Sequence, residues 1–290
     1  MEYITGLLIV VGIYAILATS LDLLVGHAGL LSVAQAAFYG IGAYTAALLA
    51  VSHGAPAIVG ILLGMVLAAL ASLALSVPTL RLHDDYFFIA AFAFQVIFLG
   101  ILSNWMSLTQ GPLGITGIPE LTVAGIAISS RVRFLCVTAM FAAFAHVATD
   151  RIATSPLGRA LRGIREDEEF TQALGKDTVR IKVSVICVSA ALAALAGSLY
   201  AHYMSFIDPS SFTVMESILV VAMVIIGGAA SRWGPLIGAA VLVMLPEGLR
   251  FLGLPTSIAA NLRQIIYGSL LVLLMLLRPN GLVGRYDFER

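Results

Sequence analysis

Charged side chains are scarce in this sequence of 290 residues. Asp, Glu, Lys and Arg together make up 11% of it, whereas 60% of the residues are hydrophobic and the mean hydropathy is +1.01. A soluble domain carries roughly 25% charged residues. A chain with so few ionic groups cannot cover its surface with polar atoms, so we expect an all-α, polytopic membrane protein whose surroundings are the lipid bilayer. Its formal net charge is zero, and no basic patch points to nucleic acid.

Residues that carry catalysis or bind metals are also few. The two cysteines, Cys136 and Cys187, lie within separate apolar runs, and the five histidines are scattered without metal-ligand spacing. No Ser–His–Asp or paired-carboxylate arrangement occurs, and no GxxxxGK[ST] loop is present to cradle phosphate. We therefore expect no metal, no cofactor and no enzymatic activity, and any energy from ATP must come from a separate subunit.

The dominant feature of the sequence is a series of apolar stretches that are long enough to cross a bilayer. About 20 apolar residues span the hydrocarbon core, which predicts eight to nine spans in a single transmembrane domain, residues 1–290. The second span contains Gly, Ser and Gln and is also compatible with a broken helix that lines a cavity. The predicted spans are about 4–25, 30–51, 56–78, 86–104, 132–149, 182–204, 214–229, 234–252 and 261–277.

The distribution of Lys and Arg predicts the orientation of the spans. With nine spans, twelve of the sixteen basic residues fall on one side of the membrane and four on the other. Basic residues favour the cytoplasmic side. We therefore expect the long loop after the fifth span and the C-terminus in the cytoplasm, with the N-terminus outside.

Residues 155–182, which we call the charged segment, form the one long polar stretch in the chain. Ser155 and Pro156 are typical of a helix start, and Leu157, Leu161 and Ile164 recur at helical spacing on one face. The acidic residues at 166–169 precede a second short helix, which Gly175 would end. We predict two short amphipathic helices, residues 155–176, on the cytoplasmic surface.

The second of these helices carries an apolar face formed by Phe170, Ala173 and Leu174. One interpretation is a solvated loop that only fixes the topology. The other is a docking element, because an apolar face on an exposed loop is suited to a partner's groove.

Four polar residues inside predicted spans are candidates for the translocation pathway: Ser32, Gln35, Tyr39 and Gln95. The first three recur at i, i+3 and i+7, which would place them on one face of the second span. The alternative is hydrogen bonding between helices. Asp22, near the inner end of the first span, is expected to reach water, and the alternative is a role in the pathway.

Short motifs spread along nearly the whole chain resemble the permease subunits of branched-chain amino acid ABC importers, in particular those of the LivM type. Several separated matches in the same order are more specific than any single motif. The matching stretches are LDLLVG at 21–26, GLLSVAQAAFYGIGAYTAALL at 29–49, GITGIP at 114–119, SPLGRALRGIREDEEFTQALG at 155–175, IDPSSF at 207–212, IIGGAASRWGPLIGAA at 225–240, LPEGLR at 245–250 and RPNGLVGR at 278–285.

The resemblance implies that residues 155–175 dock on an ATP-binding subunit. Glu168 and Gly175 fall where the family's coupling loop has its Glu and Gly, whereas residues 169–171 depart from the small apolar residues usual there. The residues expected to couple to the ATPase are Arg162, Glu166, Glu168, Phe170, Ala173, Leu174 and Gly175.

The resemblance also implies partners, substrate and location. The partners would be a second homologous permease of the LivH type, two cytoplasmic ATP-binding subunits and a periplasmic substrate-binding protein, all at a bacterial inner membrane. Leucine, isoleucine and valine are the favoured substrates, with other amino acids, urea, amides and aromatic acids as alternatives. A self-contained ion-coupled transporter or channel is the alternative function, which a buried acid at mid-membrane would favour.

Overall fold

Long apolar helices dominate the computed structural model, which describes residues 2–80, 84–123, 126–128, 130–250, 268–269, 272 and 281–283. Within these residues, six helices are long and apolar enough to cross a membrane, and two shorter apolar helices follow them. The ninth predicted span, about 261–277, lies largely outside the described residues. The fold is therefore an all-α helical membrane bundle.

The helices begin and end close to the boundaries that hydropathy predicts. The long helices are α1 (Glu2–Asp22), α2 (Gln35–His53), α3 (Ala57–Thr79), α4 (Asp84–Asn104), α6 (Arg131–Thr154) and α9 (Thr178–Met204). The shorter ones are α5 (Met106–Thr109), α7 (Pro156–Glu166), α8 (Glu168–Ala173), α10 (Val214–Gly227) and α11 (Gly234–Arg250). Helix α1 continues as a π-helical turn, Leu23–Ala28.

The long connection between α4 and α6 contains three short strands, which take part in two small β-ribbons. Strand β1 (Ile115–Thr116) pairs antiparallel with β4 (Phe206–Ile207), which follows α9, and β2 (Thr122–Val123) pairs with β3 (Ile126–Ala127). Ile115, Ile118 and Leu121 are buried in the core. The connection is therefore attached to the bundle through backbone pairing as well as apolar contact.

Helix α9 lies at the centre of the bundle and packs against α1, α2 and α3. Small residues allow the closest of these approaches. A Cβ added to Gly197 would lie 1.9 Å from the Tyr39 carbonyl oxygen, and one added to Gly42 would lie 2.0 Å from the Ala194 carbonyl oxygen. In lipid, where the hydrophobic effect does not drive helices together, such backbone proximity supplies much of the packing energy.

We predict that Gly197→Ala destabilises the protein by about 1–3 kcal/mol, because the added methyl group overpacks a backbone contact that cannot move aside. The measurement is the thermal unfolding midpoint of the purified protein in detergent. Gly100→Ala in α4 is the matched control, since a Cβ there meets nothing within 4 Å. Equal midpoints for the two variants would contradict the close α2–α9 packing.

Candidate functional site

The charged segment begins with a capped amphipathic helix, as its sequence predicts. The Ser155 hydroxyl accepts hydrogen bonds from the backbone N–H groups of Leu157 and Gly158, and Pro156 occupies the first helical position of α7. Leu161 and Ile164 are buried, and Leu157 packs against the core. The apolar face of α7 therefore holds the segment against the bundle.

Helix α8 is also capped at both ends. The Asp167 carboxylate accepts a hydrogen bond of 2.8 Å from the backbone N–H of Phe170. At the other end, Gly175 adopts a left-handed conformation with φ +79°, and its N–H donates to the Gln172 carbonyl at 2.8 Å. Gly175 is therefore the residue that ends the helix, as predicted, because glycine adopts positive φ without steric cost.

The apolar side chains of α8 face away from the bundle. Phe170 is 63% exposed and Leu174 is 66% exposed. Ala173, Gly175 and Glu166 are exposed beside them. Five of the seven residues predicted to couple to an ATPase therefore lie on the outer surface of the charged segment.

The other two predicted residues, Arg162 and Glu168, point inward. Arg162 donates from Nη1 to the Ala153 carbonyl at 3.1 Å. Glu168 Oε2 accepts from Lys182 Nζ at 2.6 Å, and the Lys182 side chain is only 1% exposed. These residues attach the charged segment to the bundle rather than present it to a partner.

The environment of Glu168 favours its charged form. Burial on its own would raise the pKa of the carboxyl, but hydrogen bonds from Lys182 and Thr178 and the charge of Lys182 outweigh it, and the pKa of Glu168 falls below its usual value. The Glu168 carboxyl is therefore charged at neutral pH.

A further attachment joins α7 to the end of the first span. Arg165 donates from Nη1 to the Gly26 carbonyl, in the π-helical turn. π-Helical turns free carbonyl groups from the regular ladder and are frequent at functional sites. Helices α7 and α8 are thus bonded to the extension of α1 and to the start of α9, respectively.

Sequence reasoning did not identify Lys182 and Arg165 as anchors. Glu168 and Lys182 are fourteen residues apart and lie on different helices, so no periodicity connects them. One signal was available: Lys182 lies at the start of a predicted span, where an ionisable side chain requires a partner.

The candidate pathway residues are buried inside this chain. Gln95 bridges two elements: its Oε1 accepts from the Ala37 N–H at 2.6 Å and its Nε2 donates to the Phe212 carbonyl at 2.7 Å. Gln35 donates from Nε2 to the Ser20 hydroxyl at 2.6 Å. These contacts are of the helix-to-helix kind that the alternative interpretation expects.

Ser32 and Tyr39 have different surroundings. The prediction that Ser32, Gln35 and Tyr39 share one helical face is wrong for Ser32, because α2 begins only at Gln35 and Ser32 lies in the non-helical stretch before it. Tyr39 packs between the rings of Tyr200 and Phe212, with centroid distances of 5.4 and 5.2 Å.

Asp22, expected to reach water, is instead covered by the chain and borders only a small cleft. Its side chain is buried, and Oδ1 accepts from the Ala230 N–H at 2.8 Å, in the turn between α10 and α11. Hydropathy placed Asp22 at a membrane edge but could not show that this turn folds over it. His27 lies 3.5 Å from the same carboxylate.

The opposite end of the bundle contains a cavity of about 480 Å³, lined by residues of α1, α6, α9, α10 and α11. Apolar side chains such as Leu7, Val10 and Leu242 line it together with Arg131 and Glu247. Tyr3 donates its hydroxyl proton to Glu247 at its rim. No cluster of metal-ligating side chains occurs in the part of the chain that the structure describes.

We predict that Glu168→Gln destabilises the protein, because it leaves the Lys182 ammonium buried beside a neutral amide. Removing one partner of a fully buried ion pair costs about 3–5 kcal/mol. Since the Glu168 side chain is 29% exposed, we expect about 2 kcal/mol, measured by unfolding in detergent.

The matched control for this variant is Arg180→Gln, which breaks the exposed ion pair with Asp177 at 2.8 Å. Exposed pairs contribute about 1 kcal/mol or less. If Arg180→Gln destabilised the protein as much as Glu168→Gln, burial of the Lys182 pair would not be the cause.

Comparisons with known proteins agree with this arrangement. The family model described as "Branched-chain amino acid transport system / permease component" matches residues 3–275. The chain is 34% identical to the branched-chain amino acid permease protein LivM of Salmonella typhimurium, over 93% of this chain and 68% of that one. LivM of Escherichia coli gives the same figures.

More distant relatives point the same way. A probable LivM of Methanocaldococcus jannaschii is 26% identical over 78% of this chain and 68% of its own. LivH of Salmonella typhimurium is 29% identical over 65% of this chain and 62% of its own. No solved structure matches the chain. The chain folds as an all-α bundle of apolar helices with a capped charged segment at one end, and the family model matches almost its full length. The chain is therefore a multi-pass membrane protein that belongs to the family of permease components of branched-chain amino acid transport systems.

Proposed function

We propose that this protein is a transmembrane permease subunit of an ABC importer that moves branched-chain amino acids across a bacterial inner membrane. The observation that carries the proposal is the exposed apolar face of α8, formed by Phe170, Ala173 and Leu174 on a segment that is otherwise bonded to the bundle. The printed names of the LivM relatives support the substrate.

In this proposal residues 1–290 form one transmembrane domain with eight or nine spans. The six long helices supply six candidate spans, and in this proposal the two shorter apolar helices supply two more. The excess of basic residues on the side of the charged segment supports a cytoplasmic position for that segment. The cavity beside Arg131 and Glu247 then opens to the outside.

The partners follow from this orientation. The α8 face docks on one of two cytoplasmic ATP-binding subunits, a LivH-like permease completes the pore, and a periplasmic binding protein delivers the amino acid. The similarity between this chain and LivH supports two homologous permeases in one complex. Each partner remains a part of the proposal.

The mechanism requires that ATP binding in the partner favours one conformation of the permease. A ligand shifts an equilibrium only by its difference in affinity for the two states. A shift of α8 reaches α9 through the Glu168–Lys182 ion pair and the extension of α1 through Arg165 and Gly26. These bonds connect nucleotide-driven motion to helices that cross the membrane.

The pathway role of Ser32, Gln35, Tyr39 and Gln95 remains a prediction. All four are buried. Gln35 and Gln95 bond other parts of the same chain. They can meet solute only if the transport cycle separates the helices that cover them.

We predict that Gln95→Leu lowers the unfolding free energy by about 1–3 kcal/mol, because it removes two buried hydrogen bonds. Gln95→Glu is the control, since it keeps an acceptor for the Ala37 N–H. Thermal unfolding and uptake kinetics should be measured on both. A changed KM for uptake with unchanged stability would instead support the pathway role.

We predict that Leu174→Glu lowers the affinity for the ATP-binding subunits at least about tenfold, because it places a charge in the centre of an apolar contact. Copurification of the complex and ATP-driven leucine uptake in proteoliposomes are the measurements. Leu113→Glu is the matched control, since Leu113 is 76% exposed and lies outside the charged segment.

Two outcomes would contradict the proposal. If Leu174→Glu copurified with the ATP-binding subunits as wild type does, the α8 face would not be the docking surface. If an imposed ion gradient drove uptake without ATP, the protein would be an ion-coupled transporter.

A further inference from the structure

A second, smaller cleft lies beside the charged segment, between the end of α1, the second half of α6, α7 and the turn that joins α10 to α11. Its volume is about 190 Å³. Since one water occupies about 30 Å³ of liquid, the cleft can hold about six waters or one small solute. We call it the histidine cleft, because His27 and His146 both line it.

The histidine cleft is bordered by two guanidinium groups, of Arg162 and Arg232, and by the acidic residues Asp22 and Asp150. Arg232 pairs with Asp150 at 3.3 Å. Asp22 Oδ1 is bonded to the Ala230 N–H. Arg162 is therefore the cation in this lining that is placed to meet an anionic group of a ligand.

Arg162 is placed to bind an anionic group there. It donates from Nη1 to the Ala153 carbonyl at 3.1 Å. A guanidinium has five N–H donors in all and binds carboxylates in a two-pronged geometry. Arg162 can therefore keep its structural bond while other N–H groups bind a carboxylate.

His146 is the unusual member of the lining. It is only 9% exposed, and neither ring nitrogen has a hydrogen-bond partner within the part of the chain that the structure describes. Its ring stacks on Trp233 at a centroid distance of 4.8 Å. A neutral imidazole has one donor and one acceptor, and leaving them unsatisfied in a buried place is costly. Both nitrogens are covered in this conformation, so a ligand that brings an acceptor to this cleft would relieve that cost once the imidazole turns toward it.

We propose that the histidine cleft binds the carboxylate of a small α-amino acid, with Arg162 and His146 as the donors. This inference deepens the proposed function, because the ligand is then the transported solute at the end of its path. Arg162 belongs to α7, so occupancy of the cleft is linked directly to the position of the charged segment. Release of solute and movement of the docking element thereby involve the same helix.

Trp233 makes the inference measurable. The chain has two tryptophans, Trp105 and Trp233. In a Trp105→Phe background, the fluorescence of the full chain in lipid nanodiscs reports the ring that stacks on His146. The probes are L-leucine, 4-methylpentanoate, which lacks the amino group, 3-methylbutylamine, which lacks the carboxylate, and inorganic phosphate.

We expect a saturable change in Trp233 fluorescence with leucine and with 4-methylpentanoate, and none with the amine. His146→Phe, which keeps an aromatic ring against Trp233, should weaken leucine binding by about tenfold or more, the loss expected for one hydrogen bond to a charged group. Arg162→Gln should do the same, and Arg162→Lys, which keeps the charge, should retain part of the affinity.

Three results would overturn the inference. They are no saturable change with leucine, an equal response to the amine, and binding of phosphate in preference to leucine. ATP-driven leucine uptake by the assembled complex should be measured in parallel. If the complex transported leucine but Trp233 showed no response, the cleft would not be the binding site and the proposed transport function would stand. If Trp233 responded to leucine but the complex did not transport it, the binding site would stand and the proposed transport function would be contradicted.

Discussion

The structure depends most on a single buried ion pair, between Lys182 at the start of α9 and Glu168 at the start of α8. Taking an ammonium group out of water is expensive, and a paired carboxylate recovers that cost only when the geometry is good. Here the two atoms are 2.6 Å apart. Because α8 is short and its apolar side chains point outward, this pair and the hydrogen bond from Gln172 to the Thr178 hydroxyl hold it on the bundle. Helix α8 is therefore held by polar contacts, while its exposed face is apolar.

The attachment of α8 to α9 matters because α9 is packed tightly inside the bundle. Helix α9 is packed on several sides, with backbone approaches at Gly42 and Gly197 too close for any side chain. A helix held in this way moves as a body, since its neighbours leave no space for local deformation. Under the proposed function, motion applied at Lys182 would therefore reach the interior of the membrane domain. The bond from Arg165 to Gly26 provides a second route, into the π-helical turn after α1.

Much of this could be predicted from the sequence, because it depends on local patterns. Hydropathy located the long helices, and the capping residues Ser155 and Gly175 located the short helices of the charged segment. What could not be predicted depends on contacts between distant parts of the chain. The pairing of Glu168 with Lys182 and the folding of the Ala230 turn over Asp22 leave no periodic trace. The pairing of β1 with β4 is likewise absent from local patterns, since each strand has only two residues.

Under the proposed function, the Glu168–Lys182 ion pair transmits motion from a docked ATPase to the membrane domain. The most direct test is the number of leucine molecules transported per ATP hydrolysed by the reconstituted complex, comparing wild type with Lys182→Met. This account predicts that the variant complex still assembles and hydrolyses ATP, because the apolar face of α8 is unchanged, but transports fewer leucine molecules per ATP. An unchanged ratio in a stably assembled variant complex would contradict it.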